Sequence, residues 1–285
     1  MAARRRLGRV RPAHARSGRF EIPLLVGGRS DDPRPVVLLH GFSDTKDSFV
    51  DVARGLGRSH GLILPDLPGF SEASQPMDHR YTIGELARLL ADALRERCPE
   101  GMHLVGNSLG GAVAAAMTLE YPERVHSLTL VAATGLRMPV PSALQRHIQA
   151  GHNPFVVQDE QGYPAFLRFV LERVPPIPGP LMRVMARRFV ARRAMNEKIL
   201  AELIEDDLDL TDRLGEIEVP TMVLWGDRDR LIDLSVGRAY HEGIADSRLV
   251  VLHGIGHCPQ VEAPRVTIRR IAQTVARAER RIQGV

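Results

Sequence analysis

The pentapeptide Gly106-Asn107-Ser108-Leu109-Gly110 constrains the fold of this chain more than any other stretch, because it joins a strand-like apolar run at 102–105 to a helix-like one. The helical run carries Leu109, Ala112, Val113, Ala116 and Met117 as far as Glu120, and Pro122 stops it. A G-x-S-x-G pattern in that setting predicts a sharp strand-to-helix turn that holds the Ser108 hydroxyl exposed. Its glycines stand where the two backbones approach too closely for a side chain.

A serine hydroxyl is a weak nucleophile at neutral pH, so it needs a base to take its proton and a carboxylate to hold that base in the right tautomer. Residues 220–226 read as a buried strand ending in the turn Asp227-Arg228-Asp229, which supplies two candidate acids. Residues 248–252 read as a last strand, followed by His253-Gly254-Ile255-Gly256-His257. His253 still belongs to the strand end, whereas His257 lies on the loop beyond it. Upstream, the apolar run 35–39 leads into His40-Gly41-Phe42. Acyl transfer develops an oxyanion, and the main-chain N–H groups of Leu109 and Phe42 are the candidate donors to it. His40 reads as a backbone-bonding histidine, and Asp66 as the organiser of the turn before Pro68-Gly69.

These stretches resemble the α/β-hydrolase superfamily from about residue 36 to the C-terminus. Within it, His40-Gly41-Phe42-Ser43-Asp44-Thr45-Lys46-Asp47, Asp66-Leu67-Pro68-Gly69-Phe70, Gly106-Asn107-Ser108-Leu109-Gly110-Gly111 and Leu224-Trp225-Gly226-Asp227-Arg228-Asp229 are similar to bacterial lipases and esterases related to monoacylglycerol lipases. The resemblance implies a Ser108, Asp229 and His257 triad, since the family places its acid three residues after Gly226 and its base directly after Gly256. It also implies hydrolysis of lipophilic carboxylic esters, with no cofactor. Carbon–carbon bond hydrolysis of ring-cleavage products uses the same triad and is the alternative, with Arg188 or Arg192 as the anchor for a substrate carboxylate. A non-catalytic ligand-binding protein on the same fold is the second alternative. Dehalogenases and epoxide hydrolases of the superfamily carry an aspartate at the nucleophile position, which Ser108 excludes.

The rest of the pattern predicts an α/β fold with a mainly parallel, doubly wound sheet. Strand-like runs at 19–26 (an edge strand), 36–39, 62–64, 102–105, 127–132, 221–225 and 249–252 alternate with amphipathic helices. Thr82 and Glu85 read as a capping box before a helix with Ile83, Leu86, Leu90, Ala93 and Leu94 on its apolar face. The stretch 135–214 breaks the rhythm after the run at 127–132, the sixth strand in the superfamily's count, where the superfamily inserts a helical cap. Its apolar residues Phe155, Phe166, Phe169, Leu181, Met182, Met185 and Phe189 are candidate pocket walls. The hydrolase core is then expected at 21–134 and 215–285.

Net charge is misleading as a guide to partners. Residues 1–20 hold seven arginines and no acids, so the remainder carries 31 basic against 34 acidic side chains. This basic tail is predicted to be disordered and not to bind nucleic acid. Leu24-Leu25-Val26 is too short for the apolar region of a signal peptide, and no run approaches the ~18 apolar residues of a membrane span. Two cysteines, Cys98 and Cys258, give no disulfide framework, and the histidines lack metal-ligand spacing. A cytoplasmic protein without a metal follows, with weak contact to a membrane surface open.

Overall fold

The computed structural model describes residues 10–284. Eight strands form one sheet: Val10–Ser17 (β1), Phe20–Gly28 (β2), Val36–Leu39 (β3), Gly61–Pro65 (β4), Met102–Asn107 (β5), Val125–Val131 (β6), Thr221–Gly226 (β7) and Ser247–Leu252 (β8). Their order is β1-β2-β4-β3-β5-β6-β7-β8. β1 and β4 each run antiparallel to β2, and the six strands from β4 to β8 are mutually parallel. The helices are Val50–Leu56 (α1), Ile83–Ala93 (α2), Leu109–Glu120 (α3), Ala143–Gln149 (α4), Tyr163–Val170 (α5), Gly179–Ala191 (α6), Arg193–Asp206 (α7), Leu234–Gly243 (α8), Pro259–Glu262 (α9) and Pro264–Gln283 (α10).

Parallel strands require crossover helices, which cover both faces of the sheet and bury the strands on both sides. The side chains of β3 show this directly. Val37 and Leu39 enter one core with Leu86 and Leu90 of α2 and Val113 of α3. Val36 and Leu38 enter the other, with Val52 and Leu56 of α1 and Ile271 and Val275 of α10. The sheet is therefore mainly parallel and doubly wound, as the alternating pattern predicts.

The amino-terminal reading is corrected in two places. Residues 10–17, expected within a disordered tail, form β1, which pairs with β2 from Val10↔Gly27 to Ser17↔Phe20. Consequently β2, expected as the edge strand, lies one place inside the sheet. An antiparallel edge strand can keep one face in water, so arginines are compatible with it. Arg16 pairs with Glu21, and Arg19 reaches Asp78 at 2.9 Å. The arginines at 4–6 and 9 lie outside the described residues.

The capping box is made in half. Thr82 Oγ1 accepts the Glu85 N–H at 3.1 Å, but the Glu85 carboxylate is held by Arg88 at 2.7 Å instead of returning to residue 82. A complete box occurs at α4, between Ser142 and Gln145.

Between β6 and β7 the chain leaves the sheet for α4 to α7. Helices α5 and α6 make a separate apolar cluster of Val157, Tyr163, Leu167, Ala186 and Phe189, with Phe166, Met182 and Met185 against it. α7 differs, because its Met195 and Ile199 belong to the main core.

Candidate active site

Ser108 sits between the end of β5 and the start of α3 with φ 55° and ψ −121°, a backbone conformation that L-residues rarely adopt. The turn is tight enough to exclude side chains. A Cβ on Gly106 would lie 2.1 Å from the Gly110 carbonyl oxygen, and one on Gly110 would lie 2.4 Å from that of His40. The Ser108 carbonyl accepts from Gly111 (2.9 Å), Ala112 (3.2 Å) and Thr134 (3.2 Å), which pins the elbow to α3 and to the end of β6. Leu109 opens α3, and first-turn N–H groups of a helix have no acceptor within it.

Asp229 and His257 come together from the loops after β7 and β8. His257 Nδ1 lies 2.8 Å from Asp229 Oδ2, with both side chains at most 4% exposed. Asp229 Oδ1 accepts the N–H groups of Leu231 (2.8 Å) and Ile232 (3.1 Å), so one carboxylate oxygen is held by backbone and the other faces the imidazole. A carboxylate oxygen can only accept, so Nδ1 carries the proton and Nε2 is left with its lone pair. Asn107 joins this pair to the elbow, donating from Nδ2 to the carbonyls of His257 (3.1 Å) and Val131 (3.0 Å).

The competing residues form a second pair outside the site. His253 Nδ1 meets Asp227 Oδ2 at 3.0 Å, and His253 is 92% exposed. The imidazole hydrogen bond, with the Gly254 N–H, holds the Asp227 carboxyl below its ordinary range. Cys258, beside His257, is buried, and desolvation raises its thiol well above the usual value, which leaves it unreactive at neutral pH.

The loop that carries Phe42 is braced from behind. His40 Nδ1–H donates to the Gly41 carbonyl (2.8 Å) and its Nε2 accepts from Leu67 N–H (2.9 Å), the backbone role read from the sequence. Asp66 accepts the Lys46 N–H at 2.9 Å and ion-pairs with the Lys46 ammonium, which also reaches Glu72 at 2.9 Å. Lys46 is buried. Nothing in sequence spacing pairs Lys46 with Asp66, and this brace was missed.

The seven expected pocket residues are distributed differently. Phe155 lines a pocket of about 210 Å³ with Phe42, Val156, Asn196, Leu200 and Ala201. Its ring packs edge-on against Phe42 at 5.5 Å and contacts Phe166 at 5.4 Å. Phe166, Met182, Met185 and Phe189 instead build the insert's own cluster, because α5 and α6 have no other core to bury into. Phe169 packs on the main core, and Leu181 is 49% exposed. A larger groove of about 600 Å³, lined by Arg11, Gly28, Arg29, Asp32 and Arg97, lies at the amino-terminal ends of β3 and β4, opposite the elbow. Among the described residues no three His, Cys, Asp or Glu side chains gather as metal ligands, and no helix is long and apolar enough to cross a membrane.

The elbow, the Asp–His loops and the Phe42 loop all leave the carboxyl ends of parallel strands, where open α/β sheets present their chemistry, and this arrangement is that of an α/β hydrolase. Residues 34–264 match the model of the family described as alpha/beta hydrolase fold, and the chain belongs to that family. It is 31% identical over 236 residues to Lipase 3 of Moraxella sp. (strain TA144), covering 82% of this chain and 74% of that one. It is 26% identical over 286 residues to the monoacylglycerol lipase ABHD6 of Mus musculus, covering 96% and 84%. Among solved structures it is similar to a membrane phospholipase A described as a novel bacterial virulence factor. The TM-score is 0.94 at 32% identity, covering 98% of this chain and 89% of that one.

Proposed function

We propose that the protein cleaves carboxylic esters of lipophilic substrates, a monoacylglycerol or a medium-chain ester, through an acyl-enzyme on Ser108. The observation that carries this reading is the buried Asp229–His257 pair, tied through Asn107 to the strained elbow. The lipase and monoacylglycerol lipase relatives support it. Nε2 of His257 takes the Ser108 proton as Oγ attacks the ester carbonyl, and the N–H groups of Leu109 and Phe42 receive the developing oxyanion. The His257 imidazolium then protonates the departing alcohol. Water, deprotonated by the same Nε2, attacks the acyl-enzyme and frees Ser108.

Carbon–carbon hydrolysis would need a free cation for the substrate carboxylate. Of the two candidate anchors, Arg192 is directed to the carbonyls of Ser71 and Gly69, and Arg188 is exposed on the face of α6 that carries Leu181 and Val184.

In this reading residues 135–214 are the cap. The 210 Å³ pocket lies between Phe42, the 153–156 segment and α7, and α4 to α6 contribute no residue to its lining. Their outer surface suits an anionic lipid aggregate. Among the described residues, six of the eight most exposed large apolar side chains lie in the insert: Val140, Ile148, Val174, Leu181, Val184 and Ile204. Leu181, Val184 and Arg188 share one face of α6, and residues 135–193 carry nine arginines against three acids. Two buried, unpaired thiols fit the cytoplasm as the compartment.

The test is turnover of p-nitrophenyl esters from acetate to palmitate, with monoacylglycerols in parallel, by the wild type and Ser108→Ala. We expect a maximum at one chain length and a loss of up to about a millionfold in the variant. Wild-type-like turnover by purified Ser108→Ala protein would remove the assignment.

A further inference from the structure

Three features meet at the loop that follows β3, and the proposed reaction uses none of them. Ser43, next to Phe42, has φ 57°, the left-handed region that disfavours residues other than glycine. Its hydroxyl accepts a hydrogen bond of 2.8 Å from Asn196 Nδ2, 153 residues away on α7. Asn196 is 6% exposed, and its Oδ1 is buried with no hydrogen-bond partner among the described residues. Whichever way the amide is turned, one polar atom faces Ser43 and the other is left unpaired. A buried, half-satisfied amide destabilises a fold, so stability does not account for an asparagine here.

The surroundings indicate what does. The Phe42 loop is anchored at one end by His40 on the Leu67 N–H and at the other by Lys46 on Asp66. Ser43 lies at the strained tip between those anchors. α7 in turn is stitched to the core along one side. Lys198 donates to the His79 carbonyl at 2.7 Å, Glu202 accepts from Tyr81 N–H at 2.9 Å, and Asp206 from Ile83 N–H at 3.3 Å. Ile199 of the same helix is fully buried in the main core. Asn196 thus stands on a fixed strut, in contrast to α5 and α6 with their separate cluster.

We propose that Asn196 is a positioning residue for the oxyanion loop: by holding the Ser43 hydroxyl it keeps the adjoining Phe42 N–H aimed at the charge that develops during acyl transfer. The inference rests on the serine-hydrolase reading above. It makes turnover depend on the seating of α7, while the outer helices of the insert remain able to move. Donors fixed in advance act chiefly in the transition state, so the effect belongs in kcat and not in substrate binding.

The experiment compares the wild type with Asn196→Leu, Ser43→Ala and the double variant. The readouts are kcat and KM on p-nitrophenyl butyrate, affinity for a trifluoromethyl ketone that forms a tetrahedral adduct with Ser108, and Tm. Expected are a kcat at least about tenfold lower in each single variant, with KM within about twofold. Ketone affinity should fall in proportion to kcat/KM, and the double variant should be no worse than the singles. Asn196→Leu should match or exceed the wild-type Tm, because the unpaired oxygen is gone. The inference is overturned if kcat stays within about twofold, if KM rises with kcat unchanged, or if activity loss only follows loss of folded protein. A wild type that a fluorophosphonate does not label at Ser108 would fail the hydrolase reading itself. A labelled, active wild type with unimpaired variants would fail this inference alone.

Discussion

Replacing Asp229 by asparagine tests the assignment of the acid through the hydrogen bonds around it. Oδ1 of Asp229 accepts two backbone N–H groups, from Leu231 at 2.8 Å and Ile232 at 3.1 Å. An amide NH2 cannot replace that oxygen without opposing two donors, so the asparagine carbonyl takes the Oδ1 position and its NH2 takes the Oδ2 position, 2.8 Å from His257 Nδ1. Nδ1 must then accept, which moves the imidazole proton to Nε2, the atom needed as base. The site stays filled and the fold is little changed, yet the base is in the wrong tautomer. The expected loss in kcat is about 10⁴-fold, or ~5.4 kcal/mol of transition-state stabilisation. Steady-state turnover of p-nitrophenyl butyrate measures it, with Ser108→Ala as the floor and Tm as the check on folding. Asp227→Asn is the control, since its partner His253 is 92% exposed; it should change kcat by less than about twofold. Activity of Asp229→Asn within about tenfold of wild type, or a collapse in Asp227→Asn, would refute the reasoning.

Two further predictions concern stability and surface. His103 is buried on β5 between Ser127 and Glu279, with His60 and His126 near by, and burial holds its pKa down from 6.5 to about 4. The unfolded chain therefore takes up a proton that the folded protein refuses, and stability falls as the pH is lowered through that window; His103→Asn should remove roughly 2 kcal/mol of the loss between about pH 7 and 5, read from urea midpoints, and an unchanged slope would contradict it. On the insert, Leu181→Asp with Val184→Asp should lower binding to phosphatidylserine-containing vesicles by at least about tenfold, at ~1 kcal/mol per half-exposed side chain, while turnover of p-nitrophenyl acetate in solution is kept. Equal vesicle binding by variant and wild type would move the docking face elsewhere.

What could be read from the sequence divides along a physical line. The elbow is legible because sterics dictate it locally: with Cβ positions at Gly106 and Gly110 closed by carbonyl oxygens 2.1 and 2.4 Å away, the strand-to-helix turn admits few residue types. The doubly wound sheet is legible because runs such as Val36–Leu39 are apolar on both faces, which single-faced sheets do not need. β1 escaped because a one-sided edge strand can carry Arg11, His14 and Arg16 on a polar pattern that composition alone reads as a charged tail. The surroundings of the expected pocket residues were only partly legible, for the opposite reason. Apolar residues at helical spacing announce burial without saying against what, and those of α5 and α6 bury against each other.

Lys46–Asp66 and Asn196–Ser43 were illegible because each joins polar residues that no periodicity relates, across 20 and 153 positions. Both contacts nevertheless end on the one loop whose N–H the proposed reaction needs. Lys46 fixes the far end of that loop with a buried ion pair, whose loss of one partner would leave an uncompensated charge. Asn196 fixes the tip with a neutral hydrogen bond that can be broken and remade at far lower cost. The loop is therefore held at its base by an ion pair and at its tip by a hydrogen bond from a helix packed on the main core. A donor fixed at both points before substrate arrives acts chiefly in the transition state, which is why the Asn196→Leu comparison is read in kcat.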